Sequence, residues 1–402
     1  MRSKSDKKKP LVPRLRFPEF REAGAWEVKY GNSLFIQISN KEHNASLPVL
    51  AITQENGAIP RHLIDYHVSV TEKSLKSYKV VDIGDFIISL RTFQGGIEYS
   101  DYKGICSPAY IVLRAATEEV INDFFRHYFK TEKYIADLNR NLEGLRDGKM
   151  VSYKQFSEIK LPLPISPEQQ KIAHCLSSLD EVMGLQAKKV QALKQHKKGL
   201  MQQLFPAEGE TTPRLRFPEF REAGAWEVKR LGEVADVVAA GDLNVDDYST
   251  ERTDKYIFPI YSNSVAKKGL YGFCATPKYK ENSVTVTARG TLGVAFHRNC
   301  NFAAIGRLLV ISNLNVVNPY FLQEIWNHSV QLPLEDGGIP QLTAVKAKPA
   351  KVAFPRNTHE QQIIAHCLSS LDEVIGLESD KLDALKNLKK GLMQQLFPQE
   401  VA

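Results

Sequence analysis

Two stretches of this chain, residues 168–206 and 360–398, constrain its fold more than any other feature. In the first, the apolar residues Ile172, Leu176, Leu179, Met183, Val190, Leu193, Leu200 and Leu204 fall alternately four and three positions apart. That is the 3.5-residue period of a coiled-coil seam, not the broader 3.6-residue stripe of an ordinary core helix. At 1.5 Å per residue such a helix is a rod of roughly 55 Å. The second stretch matches the first at 30 of 39 positions. Gln186 and Lys197 alone interrupt the first seam, and Glu378 and Lys389 interrupt the second at the matching places. Two helices with matched seams in one chain are expected to pack on each other.

A second repeat precedes each helix. PRLRFPEFREAGAWEVK at residues 13–29 recurs unchanged at residues 213–229. The plan is therefore a constant opening, a variable segment and a constant helix, carried out twice. Two copies are too few for a solenoid. The expected boundaries are a basic tail (1–12), a first variable domain (13–165), a first long helix (166–206) and a polar linker (207–212). A second domain (213–357), a second long helix (358–398) and a short tail (399–402) follow.

Within the variable segments, short apolar runs alternate with glycine-rich turns. LPVLAIT (47–53), residues 78–82, DFIISL (85–90) and AYIVL (109–113) read as strands. So do residues 256–260, SVTVT (283–287), 294–296 and LLVI (308–311). Helices are expected over residues 122–138 and 318–329, the second opening on an Asn cap followed by Pro at the first helical position. The fold class is mixed α/β: two domains of strands and helices joined by two long helices, with an internal pseudo-two-fold repeat.

Composition narrows the functional classes. Lys and Arg outnumber Asp and Glu by 53 to 46, an excess that permits a nucleic-acid partner without demanding one. MRSKSDKKK at the start lacks a following apolar run, and no run of 18 apolar residues occurs, so a cytoplasmic location is expected. The five cysteines form no CxxC pair, and the His174-Cys175 and His366-Cys367 dipeptides point their side chains about 100° apart on a helix, so no metal site is expected. Phosphate loops, HExxH motifs and catalytic triads are not visible. Asn318-Pro319-Tyr320 approaches an amino-methyltransferase motif but lacks its second proline, and Asn122-Asp123-Phe124 at the matching place marks a helix start. The chain reads as a binder without catalytic residues.

The candidate nucleic-acid contacts lie on turns after strands. LRTFQGG presents Arg91, Thr92 and Gln94 on a flexible turn, and ARGTLG presents Arg289 and Thr291 at the comparable place in the second half. Arg bridges the guanine acceptor pair and Gln the adenine donor–acceptor pair in the major groove. Lys103, His297, Arg298 and Asn301 add reach to phosphates or bases. Solvated loop residues have the same appearance singly; the paired occurrence in both halves gives the pattern its weight. Lys188, Lys189, Lys194, Lys197 and Lys198 form a basic stripe that reads first as a solvated helix face.

These motifs together resemble the DNA-specificity subunit of type I restriction–modification enzymes. The resemblance rests on LRFPEF…W at residues 15–26 and 215–226, on LPLP…EQQKIAHCLSSLDEVMGL at 161–185, and on HEQQIIAHCLSSLDEVIGL at 359–377. SLPVLAITQENG, SYKVVDIGDFI and GICSPAYIV in the first half, and FPIYSNS and TARGTLG in the second, are similar to two types of target-recognition domain. The second copy lacks the LPLP run, and the first departs from RLGEV with YGNSL. The resemblance implies two domains that each read half of a split double-stranded DNA target, held apart by an antiparallel helix pair. It also implies two modification subunits that carry out S-adenosylmethionine-dependent adenine methylation, and restriction subunits that use ATP and Mg. No cofactor is expected in this chain itself. A coiled-coil scaffold or adaptor without DNA specificity is the alternative reading.

Antiparallel pairing offers two registers. End-to-end alignment sets Gln186 against Leu382 and Lys197 against Leu371, whereas a one-heptad slide sets Gln186 against Lys389 and Lys197 against Glu378. Polar seam residues are costly unless they meet partners, so the slid register is expected.

Overall fold

The computed structural model describes residues 10–43, 46–64, 72–140, 151–330 and 341–398. Most of the expected basic tail and residues 399–402 lie outside the described residues. The chain divides into two compact units, one of residues 1–186 with 381–402 and one of residues 187–380. The divisions fall inside the long helices, Ser166–Leu204 and Thr358–Leu396. Each unit therefore holds the first part of one long helix and the last part of the other.

In the first unit the strands run β1 (Glu27–Tyr30), β2 (Phe35–Ile38), β3 (Leu50–Thr53), β4 (Gly57–Pro60), β5 (Lys79–Val81), β6 (Phe86–Ile88), β7 (Glu98–Tyr99), β8 (Gly104–Cys106), β9 (Ile111–Ala115) and β10 (Lys160–Leu163). A four-stranded sheet in the order β2-β9-β6-β7 forms the centre. Its inner strands, β6 and β9, open on short apolar runs because both faces are covered there. Alternate residues divide between two cores. Phe86, Ile88 and Leu113 pack with the helix Asn122–Tyr128, and Ile87 and Val112 pack with Leu50, Ala58 and Cys106 on the other side.

The second unit repeats this plan with β11 (Glu227–Arg230), β12 (Asp236–Ala239), β13 (Phe258–Tyr261), β14 (Leu270–Cys274), β15 (Ser283–Val286), β16 (Ala295–Arg298), β17 (Ala303–Ala304), β18 (Leu309–Ser312) and β19 (Lys351–Phe354). Its central sheet runs β12-β18-β15-β16, with a second sheet β14-β13-β17 beside it. Val284, Val286, Leu309 and Ile311 face the helix Pro319–Ser329, while Val310 faces Phe302. Segments that share little sequence thus share one sheet order.

The repeated residues build the frame of each unit. The identical openings pair their strands antiparallel to the runs before the long helices, Glu27 opposite Leu163 and Glu227 opposite Phe354. Arg16 donates from Nε and Nη2 to the Glu168 carboxylate at 2.7 Å each, and Arg216 does the same to Glu360 at 2.7 and 2.8 Å. Both carboxylates are 1% exposed. Beside them, Gln169 accepts from Ile121 N and donates to the carbonyls of Glu119 and Pro164, while Gln361 accepts from Asn318 N and donates to those of Val316 and Pro355.

Within each unit the two helix segments are antiparallel. Leu396 and Phe397 enter the first core beside Ile172 and Leu176, and Leu204 and Phe205 enter the second beside Ile364 and Leu368. Leu15 N donates to Gln395 O at 3.0 Å, and Leu215 N to Gln203 O at 2.9 Å. The register is not the slid one. Lys389 lies beside Asp180 rather than Gln186, and Lys197 lies beside Asp372 rather than Glu378, which pairs with Lys189. A lysine stem is long enough to carry its charge sideways out of the seam. Each seam lysine therefore finds an aspartate next to Leu179 or Leu371, and the polar seam residues need not meet one another.

Two further expectations are corrected. The helix expected over 122–138 is two helices, Asn122–Tyr128 and Glu132–Arg140, because Thr131 Oγ1 accepts from Tyr134 N and starts a new one. Asn318 caps its helix through Tyr320 N and Phe321 N, whereas Asn122 is itself the first helical residue and makes no such bond.

Candidate nucleic-acid interface

The turn between β6 and β7 and the turn between β15 and β16 occupy the same place in the two sheets. The Arg–Thr pairs read from sequence lie on these turns. Arg91 and Arg289 are exposed, and neither guanidinium has a partner among the described residues. Gln94 and Thr291 are exposed beside them.

The first turn is held firmly, contrary to the flexible turn expected. Residues Thr92–Gly95 form one helical turn. Gln54 Nε2 donates to Arg91 O, Asn139 Nδ2 to Phe93 O, and Lys130 Nζ to Gly95 O. Gly96 has φ +81°, and a Cβ there would lie 2.0 Å from Phe129 O, so only glycine fits. Thr92 is corrected as a contact residue: it is 1% exposed, and its Oγ1 accepts from Ser89 N at 2.8 Å. It shapes the turn from beneath.

Lys103 stays at the surface but pairs with Asp82 at 3.0 Å, and that lysine with Arg114 holds the Asp82 carboxyl below its ordinary range. Asn301 Oδ1 accepts from Glu281 N and fastens a loop, leaving its residue exposed. His297 is half-buried on β16 with its ring edge-on to Tyr320, and burial, then Arg298 and Lys268, lower its pKa. Arg298 is corrected: it is 3% exposed, stacked 3.5 Å over the Tyr261 ring, with Nε donating to Thr285 Oγ1 at 2.9 Å. Burial pushes its pKa down to about 10, so it remains a cation near neutral pH.

The second turn is a loop closed by Thr287. Its Oγ1 donates to Thr291 O and accepts from Val294 N, and its backbone pairs with Val294 and Gly293. The two sequence motifs of this half meet through Asn263. Its Oδ1 accepts from Ala288 N at 2.7 Å, and its Nδ2 donates to Gly306 O at 2.6 Å. FPIYSNS thus positions TARGTLG, a relation between residues 25 apart that neither motif discloses alone.

A cleft of about 1560 Å³ adjoins this strand face, lined by Lys267, Lys268, His297, Arg298, Lys194 and Lys198 among others. Lys267 and Lys268 are not among the residues the sequence singles out. Of the basic stripe, Lys189 and Lys197 are occupied by ion pairs, while Lys188, Lys194 and Lys198 are exposed. Among the described residues no group of His, Cys, Asp and Glu has the arrangement of a metal site, and no helix is long and apolar enough to cross a membrane.

Comparison with known proteins agrees with this geometry. The family model for the type I restriction modification DNA specificity domain matches residues 27–195 and again residues 224–387. A putative type I specificity subunit of Mycoplasma pneumoniae, S.MpnORF507P, is 26% identical over 276 residues, covering 68% of this chain and 70% of that protein. The MjaVIII specificity subunit of Methanocaldococcus jannaschii is 28% identical over 236 residues, 56% of this chain and 51% of that one. Among solved structures, the S subunit of a type I restriction–modification system from M. genitalium superposes with a TM-score of 0.64 at 16% identity, covering 97% of this chain and all of that one. A chain from a study of type I complex assembly and conformational transition gives 0.52 at 17% identity, covering 94% and 98%. With the family model matched once in each copy of the plan, the chain belongs to the DNA specificity family of type I restriction–modification systems.

Proposed function

We propose that this chain reads a bipartite double-stranded DNA target, one half-site per unit, and directs the methylation and cleavage performed by partner subunits. The observation that carries this reading is the pair of arginines without a partner among the described residues, Arg91 and Arg289, on topologically equivalent turns of two dissimilar domains held by equivalent frames. Bases are read by such side chains at groove edges, while the frame determines only where they are presented. The exposed cations around them supply the salt-dependent phosphate attraction.

The partner subunits supply the chemistry. S-adenosylmethionine belongs to two modification subunits, and ATP with Mg to restriction subunits, and the complex acts on DNA in the cytoplasm. Each unit carries one copy of an exposed apolar pair on its long helix, Val182 with Leu185 and Val374 with Leu377, at 42–70% exposure. Two equivalent apolar pairs on a repeated helix suit two copies of one modification subunit. Sequencing methylated bases in genomic DNA from cells with and without this chain tests the function. A split motif present only with the chain is expected; identical methylation in both would overturn it.

A further inference from the structure

We infer that Lys267 and Lys268 form a phosphate-binding turn that seats the DNA backbone beside the Arg289 loop, with Asn263 holding the two at a fixed spacing. The inference rests on the DNA-reading function proposed above.

Backbone conformation is the first observation. Lys267 (φ 49°, ψ 33°) and Lys268 (φ 52°, ψ 30°) are left-handed, and Gly269 follows at φ 83°. Side chains with a Cβ seldom adopt this region, and such residues persist where the surroundings impose them, commonly at functional sites. Here the surroundings are specific. Ser262 N donates to Gly269 O at 2.8 Å and Lys268 N to Val265 O at 3.1 Å, and a Cβ on Gly269 would lie 2.7 Å from Ser262 O.

Charge is the second. Both lysines are exposed, and neither has an acidic partner among the described residues. Behind the turn lies Arg298, whose buried Nη2 has no hydrogen-bond acceptor among the described residues and sits 3.7 Å from the position a Gly269 Cβ would take. Lys194 and Lys198 line the same cleft. Its acids lie on helices. Glu324 and Asp372 are engaged by Lys197, and Glu373 and Asp380 stand on the second long helix. The strand-side wall is therefore cationic and uncompensated, which suits a polyanion rather than a neutral ligand.

Position is the third. Asn263 lies three residues before the lysine turn begins at Ala266 and hydrogen-bonds the backbone of Ala288, next to Arg289. The lysine turn and the reading loop are tied by one side chain. Lysine is a point charge on a flexible stem with no fork to match a base edge, so this turn contacts phosphates while the Arg289 loop carries sequence information.

The test uses the full chain assembled with its modification subunits, bound to a duplex carrying its methylated motif and to a scrambled duplex of equal length. K267Q/K268Q is expected to weaken both by the same factor and to lower the slope of log affinity against log salt by about 2, since each phosphate contact contributes roughly 0.9. The methylated motif is expected to stay unchanged. K267G/K268G removes the same charges while relieving the left-handed backbone, and the same result there separates charge from folding. N263A is expected to broaden the second half of the motif and leave the salt slope intact. An unchanged slope in both lysine variants, or a changed motif, overturns the phosphate assignment, and an unchanged motif in N263A overturns the coupling. A wild-type complex that binds motif and scrambled duplex equally would instead overturn the DNA-reading function itself.

Discussion

Lys389 Nζ lies 2.6 Å from both carboxylate oxygens of Asp180, so a lysine placed in an apolar seam is neutralised by an acid just outside it. The other unit repeats the relation: Lys197 reaches both oxygens of Asp372 at 2.8 and 2.7 Å and Glu324 at 2.7 Å. These pairs set the register of each helix crossing.

Cysteine trapping reads that register directly. In a background without the native thiols, V190C/E378C is expected to oxidise to a disulfide, because end-to-end alignment makes these residues level. Q186C/K389C is expected to remain reduced, since a disulfide tolerates Cα separations only up to about 7 Å. Efficient oxidation of the second pair alone would restore the slid register.

The buried Arg216–Glu360 pair predicts an asymmetric response to mutation. R216A leaves a carboxylate at 1% exposure without its partner, which costs about 3–5 kcal/mol. R216M/E360M, which removes both charges and keeps the volume, is expected to cost much less. Thermal unfolding of the three proteins measures the difference, and equal losses would show that the charges act independently.

Half-site reading should be separable by mutation. R289A is expected to relax one half of the methylated motif and R91A the other, each by about 1–3 kcal/mol where the contact is bidentate. Methylome sequencing of each variant shows which half broadens. Loss of both halves from one substitution would contradict independent reading.

Gly96 is expected to tolerate no side chain. G96A meets Phe129 O at 2.0 Å with φ at +81°, and should destabilise the first unit by more than about 1 kcal/mol. Because the Arg91 turn ends at this glycine, the first half-site should weaken with it. Binding to duplexes altered in one half at a time measures that effect.

His127 gives the first unit a pH dependence of known sign. Burial, then the Lys389 ammonium, lowers its pKa to about 4, outweighing the opposing pull of Asp180, whose charge Lys389 already satisfies. The folded unit therefore holds the imidazole neutral, and the unfolded chain protonates it near 6.5. Stability is complete above about pH 6.5 and falls as pH drops towards 4. H127Q is expected to flatten denaturation midpoints across that window, and an unchanged slope would assign the dependence to other groups.

The periodic and repeated features were legible in the sequence. The 3.5-residue seam, the identical openings and the equivalent placement of Arg91 and Arg289 follow from local pattern, which is what sequence discloses best. The register is not legible in the same way, because matching polar seam residues with each other predicts the slid alignment. The true partners, Asp180 and Asp372, lie one step outside the seam. Thr92 and Arg298 read as surface contacts in the sequence because residue type does not disclose burial. Their roles depend on Ser89, Thr285 and Tyr261 coming to meet them. Lys267 and Lys268 stayed hidden since nothing in KKG declares a left-handed backbone; hydrogen bonds from Ser262 and to Val265 impose it.

Among the described residues, Gln169 and Gln361 address the variable domains only through main-chain groups: one N–H, and two carbonyls, in each unit. Main-chain groups are common to nearly every residue. The clamp is accordingly indifferent to the side chains it grips. Substitutions that alter which bases a domain prefers leave the fastening untouched, so target choice can drift without selection first having to repair assembly.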